Sequence, residues 1–229
     1  MSTFDLLETK RKHVKKYSSK IPDKKLIEKS LWKSWKTSPS KNNSMAYQVL
    51  VWGPDKQVEK EAIHSLCVKA HIRAEERAVE KGLATLTQRG EQNPYYEHIK
   101  LNPYLFTIHS RVATPNRWYK SKVSEGHFYD QGYESLIEKI VDSVAVEVGI
   151  FASNLTQYLL EEGIDISYNS CFKRDVKSWH NVGLHTVKTR PILMMTCGYA
   201  LRYRKQDLER VNKTDWDLKP ELDNIIKWI

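Results

Sequence analysis

Several familiar chemistries are missing from this chain. Glycine is sparse, nine in 229 residues, and nowhere forms Gly-x-Gly-x-x-Gly or a P-loop, so nucleotide sites of those kinds are not indicated. No Gly-x-Ser-x-Gly elbow accompanies the serines, histidines and aspartates. The three cysteines, Cys67, Cys171 and Cys197, are odd in number and widely spaced. That pattern is neither a disulfide framework nor a metal motif, and it points to a reducing compartment. For Cys171 a reactive thiol and a buried bystander are the two readings, and the bystander is taken. The eight histidines lack His-x-x-x-His or His/Cys spacing, so no metal is expected. No apolar run approaches the ~20 residues of a membrane span. Residues Met1 to Leu7 lack the apolar core of a signal peptide, and a cytoplasmic location with no membrane partner is expected.

The length suits one compact domain, 1–229. Hydrophobic residues make up 40% and charged residues 28%, enough for a core under a soluble surface. Against 37 Lys and Arg stand 28 Asp and Glu, a net charge of +9. The cations are dense over Lys10 to Lys41 and again over Arg202 to Lys213. Such an excess fits either nucleic acid or a phosphate-bearing cofactor, and it also serves solubility alone.

Periodicity supplies the elements. Asp23, after Pro22, is a natural N-cap, and Ile27, Leu31 and Trp35, spaced by four, predict one apolar helix face. Pro39 ends that helix. Ala46 to Trp52 is rich in strand formers and stops at Gly53-Pro54. From Asp55 to about Gln88 the pattern is helical, with Ile63, Leu66, Cys67 and Ala70 on one side and Gly82 as an interruption. Gly90 to Pro103 reads as a loop and Tyr104 to His109 as a strand. Val112 to Gly132 is irregular and aromatic, a substrate or nicotinamide wall or a dimer contact. Ser143 to Leu160 is the least polar helix, with Val144, Val148, Phe151, Leu155 and Leu159 as its stripe and Glu147 as its acid. Gly163 suits the C′ position. Ile164 to Phe172 gives strand or loop, and Pro191 to Cys197 a buried strand. The segment 207–229 is amphipathic and expected to pack on this subunit or a neighbour. Helices and a few strands around one buried helix give an α/β sandwich whose strand directions local sequence leaves open.

Two stretches carry candidate chemistry. In the basic strip Arg11-Lys12-His13-Val14-Lys15, alternate residues share a face when extended, so Arg11, His13 and Lys15 point together. A guanidinium there suits phosphate; a solvated basic arm is the plain alternative. In the loop Ser38 to Ser44, Pro39 fixes a turn, Ser40 offers a hydroxyl and an N–H, and Asn43 can bond an amide-like edge. An ordinary helix stop explains the same residues.

A basic strip, one helix, a Pro-Ser-x-x-Asn loop and then a strand resembles the start of the nitroreductase family of flavin enzymes. His13 stands where that family usually has serine, and Met45-Ala46-Tyr47 where it often has Gln-Pro-Trp. The resemblance implies an α+β fold, a mixed, mostly antiparallel sheet flanked by helices. It also implies an intertwined homodimer whose C-terminal arm, about 207–229, reaches the partner. It further implies FMN as cofactor and NADH or NADPH as co-substrate, with nitroaromatics, quinones or related small molecules as electron acceptors. No catalytic side chain is implied, since the flavin carries the hydride. Carried over by position, the cofactor-binding set is Arg11, Lys12, His13, Lys15, Pro39, Ser40, Asn43, Gln92, Asn93, Ser170, Cys171, Arg210 and Lys213. Within it Lys15 faces the ring, Gln92 or Asn93 the pyrimidine, and backbone N–H groups around Ser170-Cys171 the N5 edge. A basic nucleic-acid-binding protein is the reading from another class, and a nitroreductase-like scaffold with altered or lost flavin chemistry is the third.

Overall fold

The computed structural model describes residues 14, 16–40, 43, 45–83, 97–111, 141–201 and 225, with side chains from 144 onward in the helix that begins at 141. The elements are α1 (Lys24–Thr37), β1 (Tyr47–Trp52), α2 (Gln57–Glu80), α3 (Glu97–Leu101), β2 (Tyr104–Ser110), α4 (Val141–Glu161), β3 (Asp165–Asn169), α5 (Val176–His180) and β4 (Pro191–Gly198). The four strands form one sheet in the order β1-β2-β4-β3, and every pairing among them is antiparallel. The α+β expectation of a largely antiparallel sheet between helices therefore holds.

Side chains alternate across a strand, and here the alternation builds two cores. Phe106, Ile108 and Met195 join Ile27 of α1 and the Val144, Val148, Phe151, Leu155 and Leu159 stripe of α4 on one face. Leu105 and Met194 join Ile63, Leu66 and Cys67 of α2, Ile99 of α3 and Trp179 of α5 on the other. Each fully buried Val, Leu or Phe in the α4 stripe contributes about 1.5–3 kcal/mol. The α4 stripe lies where periodicity placed it, and Gly163 takes the left-handed conformation, φ 73°, that ends the helix.

Helix α1 starts where expected, with the Asp23 carboxylate accepting from the Lys25 N–H at 2.9 Å. Its buried face differs from the predicted one. Each four-residue step turns a side chain about 40° further round a helix, so Trp35 lies about 80° from Ile27. The face against α4 follows Ile27, Ser30 and Ser34; Leu31 packs partly buried against the same core, while Trp35 is 54% exposed. Ser34 donates back to the Ser30 carbonyl at 2.6 Å, which satisfies a buried hydroxyl within the helix. Helix α2 ends at Glu80, with Gly82 just past it at φ 66°. The stretch read as loop up to Pro103 contains the helix α3.

The N-terminal segment is tied to the end of β4. Tyr17 bridges Ala200; the Ser18 N–H donates to Tyr199 O at 2.7 Å and the Leu201 N–H to Lys16 O at 3.1 Å. The buried Tyr17 hydroxyl donates to Thr196 O at 3.0 Å and meets Thr196 Oγ1 at 2.8 Å. Burial, chiefly, holds this phenol well above its ordinary pKa. Gly198 permits the approach: a Cβ there would sit 2.7 Å from Pro103 Cδ and 2.8 Å from Tyr17 Cδ1, both ring atoms with little room to yield. Gly198→Ala is therefore expected to destabilise by about 1–3 kcal/mol through overpacking. Denaturant melts should show a lower midpoint at unchanged slope; an unchanged midpoint would refute the close fit.

Candidate functional site

Antiparallel pairing sorts the strand ends into two groups. Tyr47, Ser110, Pro191 and Asn169 lie at one end of the sheet, and Trp52, Tyr104, Gly198 and Asp165 at the other. The loop from Ser38 to Ala46 enters β1 at the first end. It is built by local bonds. The Ser38 N–H and hydroxyl both close on Ser34 O, at 3.0 and 2.6 Å. The Asn43 N–H reaches Ser40 O at 3.1 Å, and the Met45 N–H donates to Ser40 Oγ at 3.0 Å. Asn43 and Met45 take left-handed backbone angles, φ 50° and 46°, which asparagine tolerates better than most residues.

Two residues that sequence reasoning passed over pin this loop from outside. Asn154 of α4 donates to Ser38 Oγ at 3.0 Å. Arg111, just past β2, donates through Nε to Met45 O at 2.7 Å, and its N–H donates to Ala46 O at 3.0 Å. A basic residue closing an apolar strand was the available signal for Arg111. Its partner becomes visible only once β2 is paired with β1. Behind the loop Tyr47 is buried against Phe151, and no described group bonds its hydroxyl. Burial, then the charge of Glu147, pushes its pKa up to about 12.

The turn after β3 reaches the same end of the sheet. Asn169 accepts from the Cys171 N–H at 2.7 Å through Oδ1 and approaches the buried Cys67 Sγ at 3.9 Å through Nδ2. Ser170 and Cys171 are exposed, which corrects the reading of Cys171 as a buried bystander. The Asx turn at Asn169 carries the chain off the edge strand β3. Cys67 and Cys197 are the buried thiols, their pKa values raised by burial.

Of the sequence-derived set, Pro39, Ser40, Asn43, Ser170 and Cys171 thus share one end of the sheet. β1 and β3 are three strand spacings apart, about 14 Å. Asn43 presents an exposed side chain with no described partner, whereas the Ser40 hydroxyl and the Cys171 N–H are engaged internally. Arg11, Lys12, His13, Lys15, Gln92, Asn93, Arg210 and Lys213 lie outside the described residues. Lys16 and Leu201 are joined by a backbone hydrogen bond. That bond sits at the Gly198 end of the sheet, roughly 20 Å of strand from the loop. The six residue steps from Arg11 to Tyr17 can span about 20 Å.

No family model and no curated protein matches the sequence. Solved structures do match, over nearly the whole chain. A nitroreductase family protein from Streptococcus pneumoniae is 18% identical with a TM-score of 0.60, covering 99% of this chain and 100% of that one. A protein from Exiguobacterium sibiricum, described as a nitroreductase in complex with FMN, is 12% identical with a TM-score of 0.61, covering 100% and 98%. A protein from Staphylococcus epidermidis, described as an NAD(P)H:FMN oxidoreductase, is 12% identical with a TM-score of 0.63, covering 100% and 96%. This chain has the nitroreductase fold. Identities this low speak for the fold alone.

Within the nitroreductase fold of this chain, one polar relay crosses the α2-side core. The Trp52 indole N–H donates to Thr107 Oγ1 at 2.9 Å. Thr107 stands 2.8 Å from His109 Nε2, and His109 Nδ1 stands 3.2 Å from Thr189 O. A carbonyl only accepts, so Nδ1 carries the proton, Nε2 accepts from Thr107, and every member is satisfied with a neutral imidazole. Trp179 lies edge-on, its ring centre 5.4 Å from that of His109. Burial lowers the His109 pKa from 6.5 to about 4. Elsewhere in the same layer Lys60 is buried, its ammonium donating to Asn102 O at 2.8 Å and its pKa lowered chiefly by burial.

A histidine harder to protonate when folded favours the folded state fully above its unfolded pKa, and that advantage fades as pH falls. Stability is therefore expected to drop by about 3 kcal/mol between pH 6.5 and 4 on account of His109. Denaturant melts of wild type and His109→Gln across that window check it; parallel pH slopes would remove His109 as the cause.

Proposed function

We propose that this protein is an FMN-dependent oxidoreductase that uses NADH or NADPH to reduce nitroaromatics, quinones or related small acceptors, working as a homodimer. The observation that carries the proposal is the near-full-length likeness to nitroreductase-fold structures, among them one described as in complex with FMN.

The described residues fit a phosphorylated aromatic group in their donor chemistry. Asn43 offers an exposed amide on a loop held from two sides by Asn154 and Arg111. Arg11, Lys12, His13, Lys15, Arg210 and Lys213 would meet phosphate or the reduced ring, and the described backbones of Lys16 and Leu201 are paired. Gln92 and Asn93 would add amide contacts and Pro39 would hold the loop's turn. Bound flavin supplies two-electron transfer between nicotinamide and acceptor. The chain's share is to grip phosphate with fixed cations, orient the ring's polar edge, and place positive charge where electron density accumulates. The exposed small apolar face of α4, with Ala145, Val146 and Gly149, supports packing against a second copy.

A second reading, a nitroreductase-like scaffold with altered flavin chemistry, draws on the internal engagement of the Ser40 hydroxyl and the Cys171 N–H. One measurement separates them. Protein reconstituted with FMN and freed of excess should be yellow, with flavin absorption bands, and should oxidise NADH or NADPH when a quinone or nitroaromatic is present. Protein that stays colourless after reconstitution rules out the enzyme reading, and binding without turnover favours the altered scaffold. Arg11→Ala is expected to weaken FMN binding by about tenfold or more, the share of one charge-assisted hydrogen bond. Unchanged affinity in a fluorescence titration would take Arg11 out of the site.

A further inference from the structure

The turn between α5 and β4 brings two histidines together that no sequence motif links. His180 closes α5, and His185 follows five residues later. Their rings stand 5.4 Å apart, centre to centre, with planes tilted by 47°. His180 is half-buried, and its Nε2 lies 2.6 Å from Val187 O. A carbonyl accepts only, so Nε2 carries the proton and the lone pair is left on Nδ1. His185 is exposed, and among the described residues its ring has His180 as its neighbour.

The turn holds this pair in a set geometry. The Gly183 N–H bonds His180 O at 2.9 Å, with Gly183 at φ 85°, a left-handed angle that glycine adopts freely. The Leu184 N–H bonds Trp179 O at 3.0 Å and the Val187 N–H bonds Leu184 O at 3.1 Å. Trp179, Leu184 and Val187 are all buried in the core on the α2 side of the sheet. Three apolar anchors therefore fix the backbone from which both imidazoles project, the preorganisation a binding site requires.

We propose that His180 and His185 form a two-imidazole site for a divalent late transition-metal ion. Two imidazoles bound to one ion through nitrogens at ~2.0–2.1 Å place their ring centres about 5 Å apart. The observed separation of 5.4 Å is close to that distance. A backbone carbonyl accepting the opposite N–H is the usual support of a metal-bound histidine, because it sets tautomer and ring orientation. Among the described residues no cluster of three or more ligating side chains exists, so water fills the remaining positions and the ion exchanges. Cu(II) binds such a nitrogen pair more tightly than Ni(II) or Zn(II). The site is independent of the flavin reading.

The test is a titration of the full chain, free of any polyhistidine tag, with CuCl2 at neutral pH, followed by electron paramagnetic resonance and amide NMR. One equivalent should bind with nitrogen hyperfine structure from two imidazoles. Paramagnetic broadening should centre on residues 177–190. His185→Ala removes an exposed side chain, should melt as wild type does, and should bind Cu(II) at least ten times more weakly, the lower end of the ~10–100-fold that even an outer-shell loss costs. Wild type without a bound equivalent, broadening centred elsewhere, or equal affinity in His185→Ala would each overturn the site.

Discussion

The pairing of β2 with β4 is the constraint from which the described fold follows. Both strands are central, and both are buried on two faces. Their alternation sends Phe106, Ile108 and Met195 toward α1 and α4, and Leu105 and Met194 toward α2 and α5. A slip of one residue would exchange the two sets and place Thr107 and His109 among the aliphatic side chains of α4. The polar relay from Trp52 to Thr189 closes only in the observed register. The register shift in this pair falls between Ile108 and His109, where the relay begins to engage the chain before β4.

That pairing also sets the geography of the candidate site. Loops gathered at a sheet end are positioned by a rigid scaffold and remain free to vary in chemistry. At one end stand the Ser38 to Ala46 loop, Arg111 and the Ser170-Cys171 turn. At the other, Tyr17 and Gly198 clamp the N-terminal segment to the end of β4. The fold thus separates the amide-bearing loop from the pairing of Lys16 with Leu201.

Strong local signals survived folding. The α4 stripe, the runs Tyr104 to His109 and Pro191 to Cys197, the Asp23 cap and the left-handed Gly163 were all legible. In each case one periodicity or one residue's backbone preference dominates its surroundings. The weaker readings failed where two patterns competed. Ile27, Leu31 and Trp35 make a plausible apolar face. The contact with α4 instead centres on Ile27, Ser30 and Ser34, with Leu31 partly buried beside it and Trp35 left exposed; the Ser34 hydroxyl bonds the Ser30 carbonyl within the helix. Five residues of helix at Glu97–Leu101 lay hidden in a stretch rich in loop formers. Part of what holds them is tertiary: Ile99 is buried in the α2-side core, and Lys60 of α2 bonds Asn102 O.

The chain's order of residues determined its buried helix, the alternation of its central strands and the candidate status of Pro39, Ser40 and Asn43, because local sterics and hydrophobic period settle these. Tertiary structure alone decided that every described strand pairing is antiparallel, that Arg111 and Asn154 brace the loop, and that Lys16 meets Leu201. It also decided that Cys171 faces outward and that His180 stands beside His185. The reason is physical: hydrogen bonds between distant segments, and the space a Gly198 leaves for Tyr17 and Pro103, depend on which surfaces meet. That information resides in the packed chain rather than in any window of it.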